Sequence, residues 1–251
     1  MAVTFTKSAS DIARYGGRIF IAPYDATKTT ADTQIGFLTV AMSTGTGEDV
    51  VMESTKGFPA SGSVIIGTET IPYTAKDVDG LTLTVTTRSA PAVHAVGSVV
   101  KFVSATAYTL QELGYFEKFS IESGKKDETV GYDCNGNKTY SFDEPSEPAL
   151  KITGLQSDIS TIALAFGKDT SAGTDGFTYI SSTDAKNYLV YIYVKQQKNN
   201  SAGYRYGKVM AHNAVVSGSV TLDYSKEVQK LELNFKLIDG ATEGVSYTIG
   251  Q

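Results

Sequence analysis

From Lys230 to Leu237 apolar and polar residues alternate without a slip: Leu231, Leu233, Phe235 and Leu237 on one parity, Lys230, Glu232, Asn234 and Lys236 on the other. Successive side chains of a strand point to opposite faces, so this pattern predicts a half-buried β-strand, paired with Val216–Tyr224 across a turn at Ser225–Val228. Tyr188–Val194 differs. Tyr188, Val190, Ile192 and Val194 share one face and Leu189, Tyr191 and Tyr193 the other, so both faces require cover. The second face is expected to meet a partner subunit, which makes Leu189, Tyr191 and Tyr193, with Tyr204 and Tyr206 of the following segment, a candidate subunit interface. One stretch alone has helical spacing together with start and stop signals. In Ser157–Gly167, Ile159, Ile162, Ala163 and Phe166 fall at i, i+3, i+4 and i+7, with Ser157 or Asp158 as cap and Gly167 as terminator. About ten residues are too few for a helix to stand alone, so it must dock on the surrounding strands.

The rest of the chain reads as strands and turns. Gly17–Pro23 is an apolar run closed by proline. Between Phe37 and Ser104 the texture changes to Val, Ile, Thr and Gly, with short strands expected at Ser63–Gly67, Thr70–Thr74, Gly80–Val85 and Ser98–Val103. Leu113–Glu122 is expected as one strand, then a charged segment Glu122–Glu128, a strand pair within Tyr132–Phe142, a polar connection Asp143–Pro148 and a strand Ala149–Thr153. The expected organisation is a mainly β chain: a discontinuous β-sandwich or barrel domain (1–36 and 105–251) with one short α-helix, and an inserted small all-β domain (37–104).

Composition narrows the function classes. With 22 basic and 27 acidic residues the net charge is −5, which argues against a protein that grips nucleic acid phosphates. Cys134 is the single cysteine, so no intrachain disulfide can form. Met1–Pro23 lacks the charged-then-apolar layout of a signal peptide, and cytoplasmic synthesis is expected. No apolar run reaches the roughly 20 residues a membrane helix needs.

Candidate chemistry is sparse. Asp133, Asn135, Asn137 and Glu144 stand at positions 1, 3, 5 and 12 of a calcium loop, but position 6 is Lys138 and not glycine, and the flanks alternate as strands. An Asn-Gly hairpin turn fits this segment better. Asp143, Glu144 and Glu147 are interleaved with Pro145 and Pro148, which reads as a solvated loop. His94 and His212 lie far apart, with no cysteine or carboxylate at ligand spacing, and read as surface or packing residues. No nucleophile elbow, dinucleotide fingerprint or phosphate loop is present, so no catalytic residue, cofactor or metal is expected. Lys195, Lys198, Tyr204, Arg205, Tyr206 and Lys208 form a basic, aromatic patch around Gln196–Gly203, which reads as a solvated hairpin tip or one packed on a neighbouring chain and, alternatively, as a site for single-stranded nucleic acid or phosphates.

Taken together, Gly17–Pro23, Leu113-Gly114 with Phe116–Glu122, Lys151–Leu155 running on to Ala165-Phe166-Gly167, and the C-terminal runs Val216–Leu222 and Leu231–Asp239 resemble the major tail tube proteins of long-tailed bacteriophages. The central segment resembles a small β module found inserted in phage virion proteins, on Lys56–Glu69, Ile71–Thr74, Arg88 and His94–Val100. The resemblance implies a virion structural protein: six copies close a ring through shared sheets, and rings stack into a hollow tube that passes DNA without sequence-specific binding. It implies terminator, baseplate or initiator, and tape measure proteins as partners. The module is expected on the exterior, where it cannot obstruct DNA, and an acidic lumen is expected to repel DNA. The alternatives are a capsid decoration or baseplate component that never stacks, and a carbohydrate- or nucleic-acid-binding module.

Overall fold

The computed structural model describes residues 17–122, 126–132, 138–145, 148–156, 187–197, 204–217, 230–238 and 245–249. Within them the chain is mainly β, and no helix occurs among the described residues. The helix expected at Ser157–Gly167 lies outside them. Strands are numbered along the chain. A large sheet takes β1 (Gly17–Pro23), β8 (Gln111–Phe116), β9 (Lys118–Glu122), β12 (Ala149–Gln156), β13 (Asn187–Gln197), β14 (Tyr204–Ser217), β15 (Lys230–Leu237) and β16 (Val245–Ile249). A small sheet takes β2 (Ile35–Phe37), β3 (Val50–Val51), β4 (Gly62–Ile66), β5 (Glu69–Lys76), β6 (Thr82–Val85) and β7 (Val99–Phe102). The ribbon β10 (Lys126–Tyr132) and β11 (Lys138–Pro145) makes a third, two-stranded sheet.

The large sheet runs in the order β8-β1-β13-β14-β15-β12-β9, with β16 added alongside β14. Its two end strands are halves of one bent strand. The run expected to continue from Leu113 to Glu122 breaks at Glu117; its first half pairs with β1, its second with β12, and the Glu117 amide donates to Thr153 O at 3.1 Å. The sheet therefore curls until its ends meet, and the inward parity of each strand fills the enclosed space. Ile19, Phe116, Ile152, Val190, Ile192 and Phe235 are among those fully buried there. Gly17 is forced by this closure: a Cβ would lie 2.1 Å from Tyr193 O and 2.8 Å from Phe116 Cζ.

The small sheet, β2-β7-β4-β5-β6-β3, also brings its ends together. Leu38 bridges Met52, and the Glu53 amide donates to Phe37 O at 3.2 Å. Its core holds Val50, Met52, Val64, Ile66, Ile71 and Leu83, all at 0 % exposure.

Other local expectations shift. The charged segment after Glu122 enters β10 at Lys126, and β11 runs on through Glu144 to Pro145 where a polar connection was expected. The turn Asp133–Asn137 lies outside the described residues, but the strands flanking it pair antiparallel. Of the expected pairing of Val216–Tyr224 with the last long strand, Val216↔Phe235 and Ser217↔Asn234 are described.

Candidate functional site

Of the five side chains that sequence reading assigned to a partner subunit, Leu189, Tyr191 and Tyr193 are covered by the chain itself. Leu189 and Tyr191 are 0 % exposed and Tyr193 4 %. With Phe20, Ala22 and Met210 they form the outer apolar face of β1, β13 and β14, which packs on Ile35 and Phe37 of the small sheet and on Tyr108 and Leu110 of the segment returning to β8. Two apolar parities on one strand correctly demand two covers; the second cover is the chain's own small sheet, docked outside the curl. Burying side chains of this size contributes roughly 1.5–3 kcal/mol each, so the seam is a third core and not a loose domain contact. Its rings are edge-packed: Phe37 on Tyr193 at 4.8 Å and 75°, Phe20 on Tyr191 at 6.4 Å and 89°. Tyr206 is half-buried, its ring 5.9 Å from that of Tyr193. Tyr204 begins β14 opposite Gln197, and its side chain lies outside the described residues.

Charged groups cross this seam at two points. Arg18 of β1 is 6 % exposed; its Nε and Nη2 donate to the two Glu112 carboxylate oxygens at 2.9 and 2.5 Å, and Nη1 donates to Gly97 O of the small sheet at 3.1 Å. The guanidinium also stacks 4.2 Å from the Phe37 ring centre. The second point is Glu53, which follows β3. Its Oε2 accepts from the Phe37 amide at 2.8 Å and its Oε1 from the Tyr193 hydroxyl at 2.5 Å. Directly across from Tyr193 in the β13–β14 register is Lys208, whose Nζ donates to Gln34 Oε1 and Lys56 O, each at 3.0 Å.

Burial sets the protonation of this second cluster. It pushes the Glu53 carboxyl up to about 7 against the pull of its hydrogen bonds, and the Lys208 ammonium down to about 8. The Tyr193 phenol is driven upward by burial and by the neighbouring Glu53 charge. What these groups do is hold the small sheet against the large one and make the strength of that hold depend on pH.

A separate ionic network lies within the small sheet. Arg88, 1 % exposed, donates Nε and Nη2 to the two Glu69 oxygens at 2.8 and 2.7 Å, and Nη1 to Ser43 O, Gly45 O and Glu48 Oε2. The Arg88 hydrogen bonds hold the Glu69 carboxyl down to about 2. His94 Nε2 stands 2.7 Å from Glu69 Oε2, and the Ala92 amide donates to the same oxygen at 3.0 Å. His94 is thus a buried, paired histidine whose carboxylate lies 25 residues away. His212 is buried as well.

A groove of about 300 Å³ runs between the two sheets, lined in part by Ile65, Gly67, Ser98, Lys101 and Glu112. Its charged groups are engaged: the Lys101 amine donates to Leu110 O at 2.8 Å, and Glu112 holds Arg18. Among the described residues no three His, Cys, Asp or Glu side chains are placed to hold a metal. Of the calcium-type positions, Asp133, Asn135 and Asn137 lie outside the described residues and Glu144 sits in β11. Sequence reasoning missed Glu53 and placed Lys208 in the basic, aromatic patch, whereas its amine is engaged in the seam. The available signal was one charge at the end of Val50-Val51-Met52 and one inside Val209-Met210-Ala211's strand, each out of place in an apolar run.

Among known proteins, no family model matches the chain, and no curated protein matches it.

Proposed function

We propose that this chain is a self-assembling structural subunit of a long-tailed bacteriophage tail tube. On this reading its large curled sheet, with the helix expected from sequence at Ser157–Gly167, is the sandwich-like tube domain, and its small sheet rides on the tube exterior. The observation that carries the reading is strand edges that no other described strand pairs. Among the described residues the ribbon β10–β11 pairs with nothing but itself, and a lone two-stranded ribbon is at best marginal in water. Among the described residues β16, Val-Ser-Tyr-Thr-Ile, is paired by β14 alone, and its sequence carries neither the charge nor the proline that usually protects an edge. Free edges of this kind favour strand addition between copies, as shared sheets around a ring require.

The chemistry of the seam fits a structural role, since its described charges are engaged by other groups of the same chain. The binding-module alternative draws less support, because Tyr206 of its tyrosine patch is packed against the seam. Tail partners, passage of DNA and location in the virion follow from the tube reading. Electron microscopy of the purified protein, dilute and then concentrated, tests it. Hollow tubes with a regular axial repeat are expected; closed rings or trimers that never stack would transfer the reading to a decoration or baseplate component.

A further inference from the structure

At the seam a buried amine faces a buried carboxamide. Lys208 is 6 % exposed and Gln34 8 %, and the Lys208 Nζ donates to Gln34 Oε1 at 3.0 Å. The two residues belong to different sheets: Gln34 directly precedes β2 of the small sheet, and Lys208 stands in β14 of the large one, 174 positions further along the chain. The carboxamide is held in place. Its Nε2 donates to Ala31 O at 3.0 Å, which turns Oε1 to the amine, and Gly57, with φ of +89°, leaves it room: a Cβ there would fall 2.4 Å from Oε1. The amine is aimed as well, by a second hydrogen bond to Lys56 O at 3.0 Å and by the Phe58 ring, whose centre is 5.4 Å away. Gln34 Cδ lies one C=O bond of about 1.2 Å beyond Oε1, and so at most about 4.2 Å from Nζ. Rotation of either terminal group closes that gap to the roughly 3–3.5 Å of a reactive approach.

We propose that Lys208 and Gln34 join in an intramolecular isopeptide bond, a covalent tie between the two sheets. Nζ forms a bond to Gln34 Cδ, the Cδ–Nε2 bond breaks, and Nε2 departs as ammonium with the two protons that Nζ sheds. The step balances with no oxidant or further reactant. Its nucleophile is the neutral amine, and burial supplies it: the Lys208 ammonium gives up its proton at about 8 instead of 10.5, with the Glu53 charge opposing that loss and the Lys76 charge favouring it. Orientation supplies the rest. Groups fixed in good alignment react as though present at about 10⁵–10⁸ M, and a reaction that occurs once per molecule can be slow and still run to completion. Burial of Gln34 also keeps water from competing for the carboxamide. The bond is independent of assembly into tubes. A chain held at acidic pH, where Lys208 keeps its proton, is the open form, and its seam groups still titrate.

The test is mass spectrometry of the native protein, intact and after proteolysis, following incubation at about pH 6 and at about pH 9, on either side of the Lys208 value. A chain lighter by one ammonia is expected, together with a branched peptide that joins the segment holding Gln34 to the segment holding Lys208, accumulating faster at the higher pH. The branched peptide is the deciding readout, because a succinimide at Asn135-Gly136 would also shed one ammonia. Lys208→Arg, which keeps donors for Gln34 Oε1 and Lys56 O, is expected to yield no branched peptide. Recovery of the Gln34 and Lys208 peptides unlinked, from protein shown by circular dichroism to be folded after prolonged incubation at the higher pH, would overturn the proposal. Equal accumulation at the two pH values would overturn it too, since the neutral amine would then not be the nucleophile.

Discussion

Glu53→Gln isolates the electrostatics of the seam. The Glu53 carboxyl is buried between Phe37 and Tyr193 and ionises at about 7 in the folded chain, against an ordinary 4.5. A folded-state value above the unfolded one means that the folded protein holds the extra proton between those two pH values. Its contribution is therefore complete below pH 4.5 and is lost as pH rises to 7. That difference amounts to about 3 kcal/mol. Lys208 works in the opposite window: lowered to about 8 from 10.5, it costs stability below 8, and that cost fades as pH rises to 10.5. Together they produce a stability trough near neutral pH. Glutamine keeps the shape, with its carbonyl accepting from the Phe37 amide and its amide donating to the Tyr193 oxygen. Unfolding free energies from denaturant titrations between pH 4.5 and 8 are expected to fall by about 3 kcal/mol in the native protein and to stay nearly level in Glu53→Gln over the same window. Above pH 7 part of the variant's gain is offset, because Lys208 loses the attraction of a neighbouring carboxylate. Parallel profiles for the two proteins would refute the reasoning, and so would a native profile that rises between pH 4.5 and 7.

Three further outcomes follow from the packing. Tyr191→Asp places an unpaired charge in the aromatic seam and is expected to cost about 3–5 kcal/mol, read as loss of folded monomer in circular dichroism and not as a selective assembly defect. Gly17→Ala drives a methyl group into Tyr193 O and Phe116 and is expected to lower stability by about 1–3 kcal/mol, measured by thermal unfolding. Arg88→Met leaves the Glu69 carboxylate to the Ala92 amide and His94 alone among its described partners, takes the guanidinium donor from Ser43 O and Ala92 O, and is expected to cost about 3–5 kcal/mol, with hydrogen exchange rising first across β4, β5 and β7.

Local patterns were readable where one face is buried and the other wet. Lys230–Leu237 and Gly17–Pro23 were delimited from sequence at the bounds the structure gives them. Leu113–Glu122 was not, because the bend at Glu117 follows from closure of the whole sheet and leaves no local mark beyond an ordinary glutamate. The two-faced character of Tyr188–Val194 was plain, yet sequence could not tell a partner chain from a sheet more than 80 residues earlier in the same chain, since either supplies equal apolar cover. The ionic groups were least legible of all. Arg88 finds Glu69 across 19 residues, and Tyr193 finds Glu53 across 140, so no spacing rule could have joined them.

The small sheet occupies a telling place along the chain: it is strung between β1 and β8, which are themselves antiparallel neighbours. Topologically it is an overgrown hairpin loop. Bringing Ile21 to Gln111 through an unstructured connection would cost about 4 kcal/mol in closure entropy, from (3/2)RT ln n for a 90-residue loop. Once Ile35 has paired with Lys101, only about 20 residues remain loose, and the cost falls by about 1 kcal/mol. If the insert folds first, it acts as a clip that delivers the two strands to each other roughly tenfold more often. In that order of events the insert assists the fold that hosts it.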